Sequence, residues 1–524
     1  MKLNYKRTIF VGFAFFLILA FWQAYDAIVP LILTNKFGMS QFWSGAIMAL
    51  DNVLALFLLP LFGTLSDKTV SKSGRRTPFI RTGTIIAVVL LVALSFADLK
   101  QLKNIGEVST VDDPVALGLI YDSQADKEIV KTNKEKATLE EEHFVLSEEI
   151  SREEFVNITS TVKNENGKEV TNEDYVNYVI PARQAYIWEI TQSNPQPLIL
   201  FVVILFLLLI AMATFRSPAV ALMPDVTLKP LRSKANAIIN LMGYVGGIIV
   251  MVLGMVFATD APRNAMMSYV GYFGAVAALM IVALIVFLIK VKEPAWSEEM
   301  QEDAAKLEDE PAEDVPAGET RKLTKGEKTS LFLILASVIL WYFGYNAVSS
   351  KYSVYASNVL SADFNMTLTI GTAAAIISFV PVGILSSKIG RKKAILIGVA
   401  LLTLAFVLAQ FVTVGTPAPL MFGIFILAGF AWATINVNSF PMVVELCSDG
   451  DVGKYTGYYY TASMAAQTLT PMVSGFLMDK LGMGVLFPYA AIFVAGSFVT
   501  MLFVKHGDSK PEAKKGLEAL DVDD

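Results

Sequence analysis

The segment that decides the fold runs G-T-L-S-D-K-T-V-S-K-S-G-R-R-T-P-F-I, from Gly63 to Ile80. It lies between two apolar runs, 42–62 and 79–97, and each is long enough to cross a bilayer, which takes about 20 residues. The segment is therefore a tight loop between two membrane helices. It carries one carboxylate, Asp67, and four cations, Lys68, Lys72, Arg75 and Arg76. Such a cluster can hold neighbouring helices together in one conformation and release them in another.

A weaker copy of this loop, G-I-L-S-S-K-I-G-R-K-K from Gly383 to Lys393, follows about 320 residues later and again joins two apolar runs. Ser387 stands where Asp67 stood. The positive-inside rule alone explains the Lys and Arg residues of both loops. It does not explain the glycines, the aspartate or the repeat, so the copy predicts that the chain consists of two related halves.

Composition indicates a polytopic membrane protein. Of 524 residues, 54% are hydrophobic and only 17% are charged, whereas soluble domains carry about 25% charged residues. The net charge of −6 implies no nucleic-acid partner. A single cysteine, Cys447, excludes an intramolecular disulfide and a cysteine metal cluster. Since no nucleophile–base set or phosphate loop occurs either, we expect no enzyme, cofactor or metal site.

The apolar runs predict twelve membrane helices. Their expected ranges are 8–33, 40–65, 79–97, 197–222, 236–258, 267–290, 328–350, 367–387, 392–413, 418–441, 455–478 and 483–504. Loops 66–78, 223–235 and 388–393 together carry eleven Lys and Arg (four, three and four), and the alternate short connections carry four. The positive-inside rule therefore predicts that these three loops and both termini are cytoplasmic, in a plasma or inner membrane.

The predicted fold is an all-α membrane protein of two parallel six-helix repeats with a small polar α/β insertion between the third and fourth helices. The predicted parts are a first half (1–97 and 197–290), an insertion (98–196), a linker (291–327), a second half (328–504) and a tail (505–524).

The insertion and linker differ in composition from the membrane helices. In the insertion, 158–171 alternates around Asn166-Gly167 and predicts a hairpin, while 128–142 predicts a charged helix. The sequence leaves three roles open for the insertion: a lid, a contact site for an outer partner, or passive decoration. The linker is rich in Glu, Asp, Ala and Pro and predicts a flexible tether. The charged tail is expected to be mobile.

Several motifs resemble one family. The loop 63–80 resembles the conserved loop between the second and third helices of the major facilitator superfamily. The longer spacing before G-R-R-T-P-F-I is similar to the glycoside–pentoside–hexuronide carriers and the sucrose carriers. The segments F-R-S-P-A-V-A-L-M-P-D-V (215–226) and G-K-Y-T-G-Y (453–458) are similar to the same carriers. The resemblance covers both membrane halves, about 400 residues, and implies sugar transport.

Three ionisable residues lie inside predicted membrane helices, all in the first half: Asp26, Asp51 and Arg216. An ionisable group in the membrane is a functional candidate, because its burial in lipid is unfavourable. We expect Asp26 or Asp51 to carry a coupling proton, whose affinity changes as Arg216 moves. A static salt bridge that only fixes helix packing is the alternative.

Sodium is the rival coupling ion. The resemblance implies that melibiose-type members of the glycoside family carry two acidic residues one turn apart on the second helix. Here Ala55 and Leu59 stand at those positions. This departure favours protons. The plant sucrose carriers also have an arginine in the fourth-helix region, apparently at Val220 here, so Arg216 is displaced by one turn.

Aromatic and amide side chains concentrate where the two halves should meet. Sugars are recognised by flat aromatic faces and by hydrogen bonds to their hydroxyls. The predicted substrate-binding residues are Trp22, Gln23, Tyr25, Trp341, Tyr345, Asn346, Trp432, Asn436, Asn438 and Gln467. Tyr458–Tyr460 are interpreted as interfacial anchors near the cytoplasmic end.

The sequence thus predicts a monomeric proton-coupled symporter of a di- or oligosaccharide, such as a sucrose-like or maltose-like α-glucoside, that works by alternating access. Its partners are the sugar, the proton and the lipid bilayer. The predicted gating residues are Gly63, Asp67, Arg75, Arg76, Asp225, Arg232 and Arg391. An exporter of drugs or organic anions on the same fold, and a sugar receptor that does not transport, are the alternatives.

Overall fold

The structure, a computed structural model, is mainly helical, because a backbone in lipid must satisfy its hydrogen bonds within each helix. The residues that it describes are 3–39, 41–130, 143–163, 169–259, 261–305, 323–355, 364–413, 416–447, 451–481 and 483–508.

The first three membrane helices are formed by four α-helices. They are α1 (Tyr5–Leu31), α2 (Gln41–Met48), α3 (Leu50–Asp67) and α4 (Thr77–Ile105). Helix α1 contains Pro30 and continues as a π-helical turn, Ile32–Lys36. The second membrane helix is built from α2 and α3 in sequence. We call the end of the bundle that bears Asp67 the basic end, and the opposite end the insertion end.

The insertion forms a small α/β unit at the insertion end. Its elements are α5 (Pro114–Gln124), β1 (Glu128–Val130), β2 (His143–Val145), α6 (Leu146–Glu149), α7 (Arg152–Val156), β3 (Thr161–Lys163), β4 (Glu169–Thr171) and α8 (Ile180–Ser193), with short turns at Gly106–Ser109 and Tyr175–Val179. Its buried apolar residues, such as Leu117, Phe155 and Ile187, form a cluster separate from the membrane core.

Predictions for the insertion have mixed outcomes. The hairpin is confirmed, because β3 and β4 pair antiparallel with Thr161 opposite Thr171; the turn at 166–167 lies outside the described residues. The helix expected at 128–142 is wrong for 128–130, which form β1 paired with β2. The remainder of that range lies outside the described residues.

The predicted end of the third helix at residue 97 is also wrong, because α4 continues to Ile105. The polar residues that suggested a loop are buried and paired. Asp98 accepts two hydrogen bonds from Lys36 Nζ, at 2.6 and 2.8 Å. Gln101 donates to the Lys36 carbonyl and to Thr191. The charge of Asp98 is neutralised by Lys36, and the amide of Gln101 is hydrogen-bonded. Both side chains therefore fit a packed helix interface.

The rest of the first half and the second half complete the bundle. The elements are α9 (Gln196–Asp225), α10 (Arg232–Val256), α11 (Val270–Lys290), α12 (Glu293–Ala305), α13 (Lys325–Tyr355), α14 (Phe364–Ile389), α15 (Arg391–Ala409), α16 (Ala418–Val444), α17 (Val452–Leu481) and α18 (Leu486–Leu502). Within the described ranges, ten helices are long and apolar enough to span a membrane. The more polar α17 and the 17-residue α18 complete two sets of six.

The two halves meet through equivalent helices. Helix α3 packs on α17, and α10 packs on α14, so each contact joins the second membrane helix of one half to the fifth of the other. In the first contact, Thr461 donates to the Leu56 carbonyl at 3.4 Å. In the second, the rings of Tyr244 and Phe379 stack at 5.3 Å. This pairing follows from the duplication.

The linker is not wholly a tether. Residues 293–305 form α12, which docks on the basic end, where Arg7 Nη1 lies 2.7 Å from the Glu299 carboxylate. The start of the tail is also packed, because Asp508 accepts hydrogen bonds from the backbone N–H groups of Arg391 and Lys392. The predicted flexibility of 306–322 and 509–524 concerns residues outside those described.

Candidate functional site

Arg216 of α9 lies at the centre of the molecule between the two halves. Its guanidinium carbon is 5.2 Å from the ring centroid of Trp22 on α1 and 5.2 Å from that of Tyr460 on α17. A guanidinium within about 6 Å of an aromatic face is attracted by the ring quadrupole. One cation therefore connects a ring of the first half with a ring of the second.

Both membrane carboxylates of the first half lie within electrostatic range of this cation. Arg216 interacts with Asp51 and Asp26, and also with Tyr342 of the second half. Asp26 is exposed and Asp51 is half-buried. Among the described residues, neither carboxylate forms an ion pair within 4.0 Å of Arg216. The static salt bridge is thus not formed in this conformation, and both carboxylates keep oxygens available for a proton or a ligand.

The second half contributes a flat aromatic surface. The rings of Tyr345 on α13 and Trp432 on α16 stack at 3.7 Å with an angle of 4° between their planes. Tyr342 meets the same indole edge-on at 5.2 Å. Because Tyr342 also interacts with Arg216, this surface is adjacent to the central cation. Trp432 is buried beneath these rings, so the half-buried ring of Tyr345 is the part of the stack that could pack against the C–H surface of a sugar ring.

The other predicted substrate residues fall into two groups. Half-buried at helix surfaces are Gln23, Asn346, Asn436 and Gln467. Packed inside the protein are Tyr25, Trp341 and Asn438. Asn438 donates to Ser386 Oγ at 2.7 Å and to the Thr434 carbonyl, so it joins α16 to α14. Its amide therefore contributes to packing within the second half.

Sequence reasoning missed Tyr460. Of Tyr458–Tyr460, only Tyr458 is exposed. Tyr459 is buried with its hydroxyl 2.8 Å from Ser439 Oγ, and Tyr460 packs on Arg216. A signal was present in the spacing, because Tyr460 and the predicted site residue Gln467 are seven positions apart and so share a helix face.

Four charges form a compact cluster at the basic end, which we call the first latch: Asp67, Arg75, Arg76 and Asp225. Asp225 accepts from Arg75 Nη2 at 2.8 Å and from Arg76 Nε at 2.7 Å. Arg76 Nη2 lies 2.6 Å from Asp67. Burial disfavours the charged form of Arg76, but the two carboxylates outweigh burial and raise the pKa of Arg76. The guanidinium therefore stays charged, and the cluster is neutral overall.

Asp67 also crosses to the second half. Its carboxylate accepts hydrogen bonds from the backbone N–H groups of Gly453 at 2.8 Å and Lys454 at 2.9 Å. These are among the first N–H groups of α17, which have no partner within the helix. An anion at a helix N-terminus is further stabilised by the helix dipole. The first latch therefore holds the two halves together at the basic end.

A second latch consists of Arg391 and Glu445 of the second half and Arg232 of the first half. Arg391 Nη1 donates to Glu445 at 2.6 Å, and Arg232 Nη1 lies 3.8 Å from the same carboxylate. Arg391 also donates to the Lys229 carbonyl of the first half. Sequence reasoning found the two arginines but missed Glu445. The duplication offers a signal, because Asp225 and Glu445 each lie at the end of the fourth membrane helix of a half.

Each latch is backed by an acidic residue that follows the last helix of its half. Glu293, 2% exposed, accepts from the backbone N–H groups of Arg76 and Thr77 at the start of α4. Asp508 does the same for α15. The loop glycines beside them, Gly74 and Gly390, have φ of 97° and 92°. Only glycine adopts this conformation without strain, which explains these two glycines of the repeated loop motif.

Comparison with known families agrees with this duplicated architecture. The family model described as Major Facilitator Superfamily matches residues 185–379 and 355–521, which together cover more than half of the chain. The chain belongs to the major facilitator superfamily. A second model, described as MFS/sugar transport protein, matches residues 10–101. As a member, the protein is a multi-pass membrane transporter and not an enzyme.

Solved structures of the superfamily share its fold at low identity. The E. coli fucose:proton symporter, FucP, has a TM-score of 0.55 at 11% identity, with 95% of this chain and 98% of that chain covered. The proton:xylose symporter XylE gives 0.52 at 14%, covering 98% of each. A bacterial homologue of the iron transporter ferroportin gives 0.57 at 12%, covering 95% and 99%. No curated protein sequence matches the chain.

Proposed function

We propose that this transporter is a proton-coupled symporter of a di- or oligosaccharide, of the sucrose-like or maltose-like α-glucoside class. The observation that carries the proposal is the central position of Arg216. It packs between Trp22 and Tyr460 and lies in electrostatic range of Asp26 and Asp51. A single cation thus links the aromatic rings of both halves to two carboxylates that can bind a proton.

The proposed coupling depends on which negative group Arg216 faces. With the carboxylates ionised, Arg216 interacts with both and is held toward the first half. Protonation of Asp26 or Asp51 removes one negative charge and allows the guanidinium to donate hydrogen bonds to sugar hydroxyls. The sugar would then lie against Tyr345, whose ring stacks on the buried Trp432. Proton and sugar would stabilise the same state, which is the requirement for symport.

We assign the basic end to the cytoplasm, with both termini cytoplasmic, in a plasma or inner membrane. The loops that carry eleven Lys and Arg all lie at this end. Several of these arginines are buried in the latches, so the exposed lysines, such as Lys72, Lys388 and Lys393, carry the orientation signal. The described conformation would then be closed toward the cytoplasm, and opening it requires both latches to break.

The fold permits this substrate class without selecting it. FucP and XylE are described as proton symporters of fucose and xylose, but another neighbour is described as a bacterial homologue of the iron transporter ferroportin. A second candidate has its own support. Among the described residues, Arg216 has no ion pair within 4.0 Å, so it could bind an anionic substrate. An organic-anion exporter is therefore the main rival, and a non-transporting sugar receptor is the other.

Purified protein in liposomes with an imposed pH gradient separates these functions. With the exterior acidic, we expect radiolabelled sucrose or maltose to accumulate above its equilibrium level, and a protonophore to abolish the accumulation. Arg216→Lys keeps the charge but loses the planar guanidinium, and we expect it to lose accumulation. Movement of organic anions without sugar movement would support the exporter, and sugar binding without flux would support the receptor. Either result overturns the proposal.

A further inference from the structure

The contact between α10 of the first half and α16 of the second contains a buried hydrogen bond near the basic end. Asn236 lies one turn into α10, and Val437 lies about two turns before the end of α16. Asn236 Nδ2 donates to the Val437 carbonyl at 2.8 Å. Asn236 is 2% exposed, and Val437 is fully buried. The bond therefore joins the two halves inside the protein and not at its surface.

The Val437 carbonyl can accept this bond because of a proline. In an α-helix each carbonyl accepts a hydrogen bond from the N–H four residues later. The residue four positions after Val437 is Pro441, which has no N–H. A buried carbonyl that is left without a donor is unfavourable. Asn236 of the opposite half thus supplies the donor that Pro441 removes from α16.

A second asparagine fixes the direction of the Asn236 amide. Asn240 lies one turn further along α10, and its Nδ2 donates to Asn236 Oδ1 at 3.1 Å. The spacing of four residues places both side chains on one face of the helix. Because the oxygen of the Asn236 amide is occupied by Asn240, its NH₂ group faces α16, where the backbone carbonyls can only accept.

An apolar cluster surrounds the bond and spans the same interface. Its buried members include Ala237 of α10, Phe379 of α14 and Ala433 of α16. In such low-dielectric surroundings a hydrogen bond is stronger, and an unpaired polar group is more unfavourable, than in water. The bond from Asn236 exists only while the two halves are in contact. The bond from Asn438, by contrast, joins two helices of the same half and persists when that half moves as a rigid body.

We propose that Asn236 is a gating residue, whose amide holds the basic end closed by capping the carbonyl that Pro441 leaves free. Opening this end separates α10 from α16 and transfers the Val437 carbonyl to water, so the bond favours only the closed state. It lies between the aromatic site at Trp432 and the second latch at Glu445, and it is uncharged, unlike both latches. The proposal rests on the alternating access of the proposed function, and it requires neither the sugar nor the proton.

The test measures how often the basic end is open when neither sugar nor a pH gradient is present. Spin labels at Ser71 and Lys393, one in each half, are introduced in a Cys447→Ser background and read in lipid nanodiscs. Asn236→Leu keeps a branched side chain but removes the donor. We expect the ratio of the long to the short distance to rise about fivefold, as for the loss of one hydrogen bond. Thr434→Val is the matched control and should leave the ratio unchanged, because Thr434 donates to a carbonyl of its own helix.

A double-mutant cycle with Pro441→Ala separates capping from packing. The new N–H at position 441 would satisfy the Val437 carbonyl in both conformations, so Asn236→Leu should change the ratio less than about twofold in that background. Pro441→Ala alone removes no polar group and should also raise the ratio. Thermal unfolding checks that each variant is folded.

An unchanged ratio in folded Asn236→Leu, or an equal effect of Asn236→Leu in both backgrounds, overturns the proposal. If Asn236→Leu does not fold, an unchanged ratio in Pro441→Ala overturns it. Because no sugar is added, a failure of sugar accumulation in liposomes would contradict the proposed substrate class and leave this result unaffected.

Discussion

Asp67 joins parts of the chain that are 386 residues apart, because its carboxylate accepts the Gly453 N–H at the start of α17. The same carboxylate contacts Arg76 within its own half. One side chain therefore connects the four-charge cluster to the opposite half. Asp67 should stabilise the closed basic end more than any exposed ion pair does, because an exposed ion pair contributes only about 0–1 kcal/mol to stability.

Replacing Asp67 with Asn tests this connection. The amide keeps one acceptor but loses the charge, and a hydrogen bond to a charged group contributes about 1.5–3 kcal/mol. We expect sugar uptake by Asp67→Asn in liposomes to fall at least about tenfold, with a smaller effect on sugar binding. The matched control is Ser387→Ala in the repeated loop, since within the described part of the chain Ser387 donates only to the Gly383 carbonyl of its own helix. Unchanged turnover in Asp67→Asn would refute the latch.

The two membrane carboxylates can be distinguished by separating exchange from accumulation. The residue that carries the proton is needed for uptake driven by a pH gradient but not for exchange of sugar across the membrane. We expect either Asp26→Asn or Asp51→Asn to abolish accumulation and retain sugar exchange. If one variant keeps full pH-driven uptake, the residue replaced in it does not carry the proton. If both variants keep full uptake, the hypothesis that these two aspartates couple transport to protons is wrong.

At the residue scale, the sequence identifies charges but not their partners. Asp26, Asp51 and Arg216 stand out because a charge in an apolar run is rare. Glu445 and Glu293 lie just beyond helix ends, where charged residues are common. Only the fold shows that Glu293 is buried against one basic loop and that Glu445 pairs with Arg391 of the other. Tyr460 was missed because a tyrosine near a membrane surface is commonly an interfacial anchor.

At the scale of helices, the contact between α3 and α17 depends on glycines. A Cβ at Gly453 would overlap the Gly63 carbonyl, and a Cβ at Gly457 would overlap Pro60 of α3. The two helices therefore approach closely at the basic end because neither carries a side chain at the crossing. This explains why Gly63 opens the loop motif on which the fold prediction rests.

Gly453→Ala tests the close approach. Adding one methyl group at the crossing forces the helices apart, and overpacking of this kind destabilises by about 1–3 kcal/mol. We expect transport to fall about tenfold or more while the folded protein remains monodisperse in detergent. Gly274→Ala in α11 is the control, because no atom of another described helix lies within 4 Å of its added Cβ. Equal activity of the two variants would contradict the crossing.

Glu293→Ala tests the cap that α12 provides for α4. The substitution leaves the N–H groups of Arg76 and Thr77 without acceptors. Loss of a helix cap destabilises by about 0.5–2 kcal/mol, so we expect a lower temperature of thermal unfolding. Glu298→Ala, an exposed position on the same helix, should have no measurable effect. If both variants unfold at the same temperature as the parent, α12 is not a structural support.

At this scale the sequence predicts membrane helices well and boundaries poorly. Long apolar runs identify all twelve spans, because the bilayer fixes their length. The end of α4 was placed eight residues early, since Asp98 and Gln101 become compatible with a helix only through their buried partners. The helix α12 was read as a tether because its composition is polar and its docking contacts lie on a distant part of the chain.

At the scale of the whole molecule, hydrogen bonds of the latches join the two halves at the basic end, from Gly453 and Lys454 to Asp67 and from Arg391 to the Lys229 carbonyl. The central cation Arg216 lies where the halves meet, and the two latches lie nearer the basic end than Arg216 does. The insertion is attached to the first half through α4, the segment that follows α1, and the connection before α11. We therefore expect it to move with the first half as one unit, which the duplication alone could not reveal.

The most direct test of the account measures whether the basic end opens when proton and sugar are both present. Spin labels at Ser71 and Lys393, in a Cys447→Ser background that removes the one native cysteine, report the separation of the halves in lipid nanodiscs. We expect a short distance at neutral pH, a second and longer distance when acidic pH and transported sugar are combined, and the longer distance without ligand in Asp67→Asn. A single distance unchanged by pH, sugar and Asp67→Asn would contradict the account.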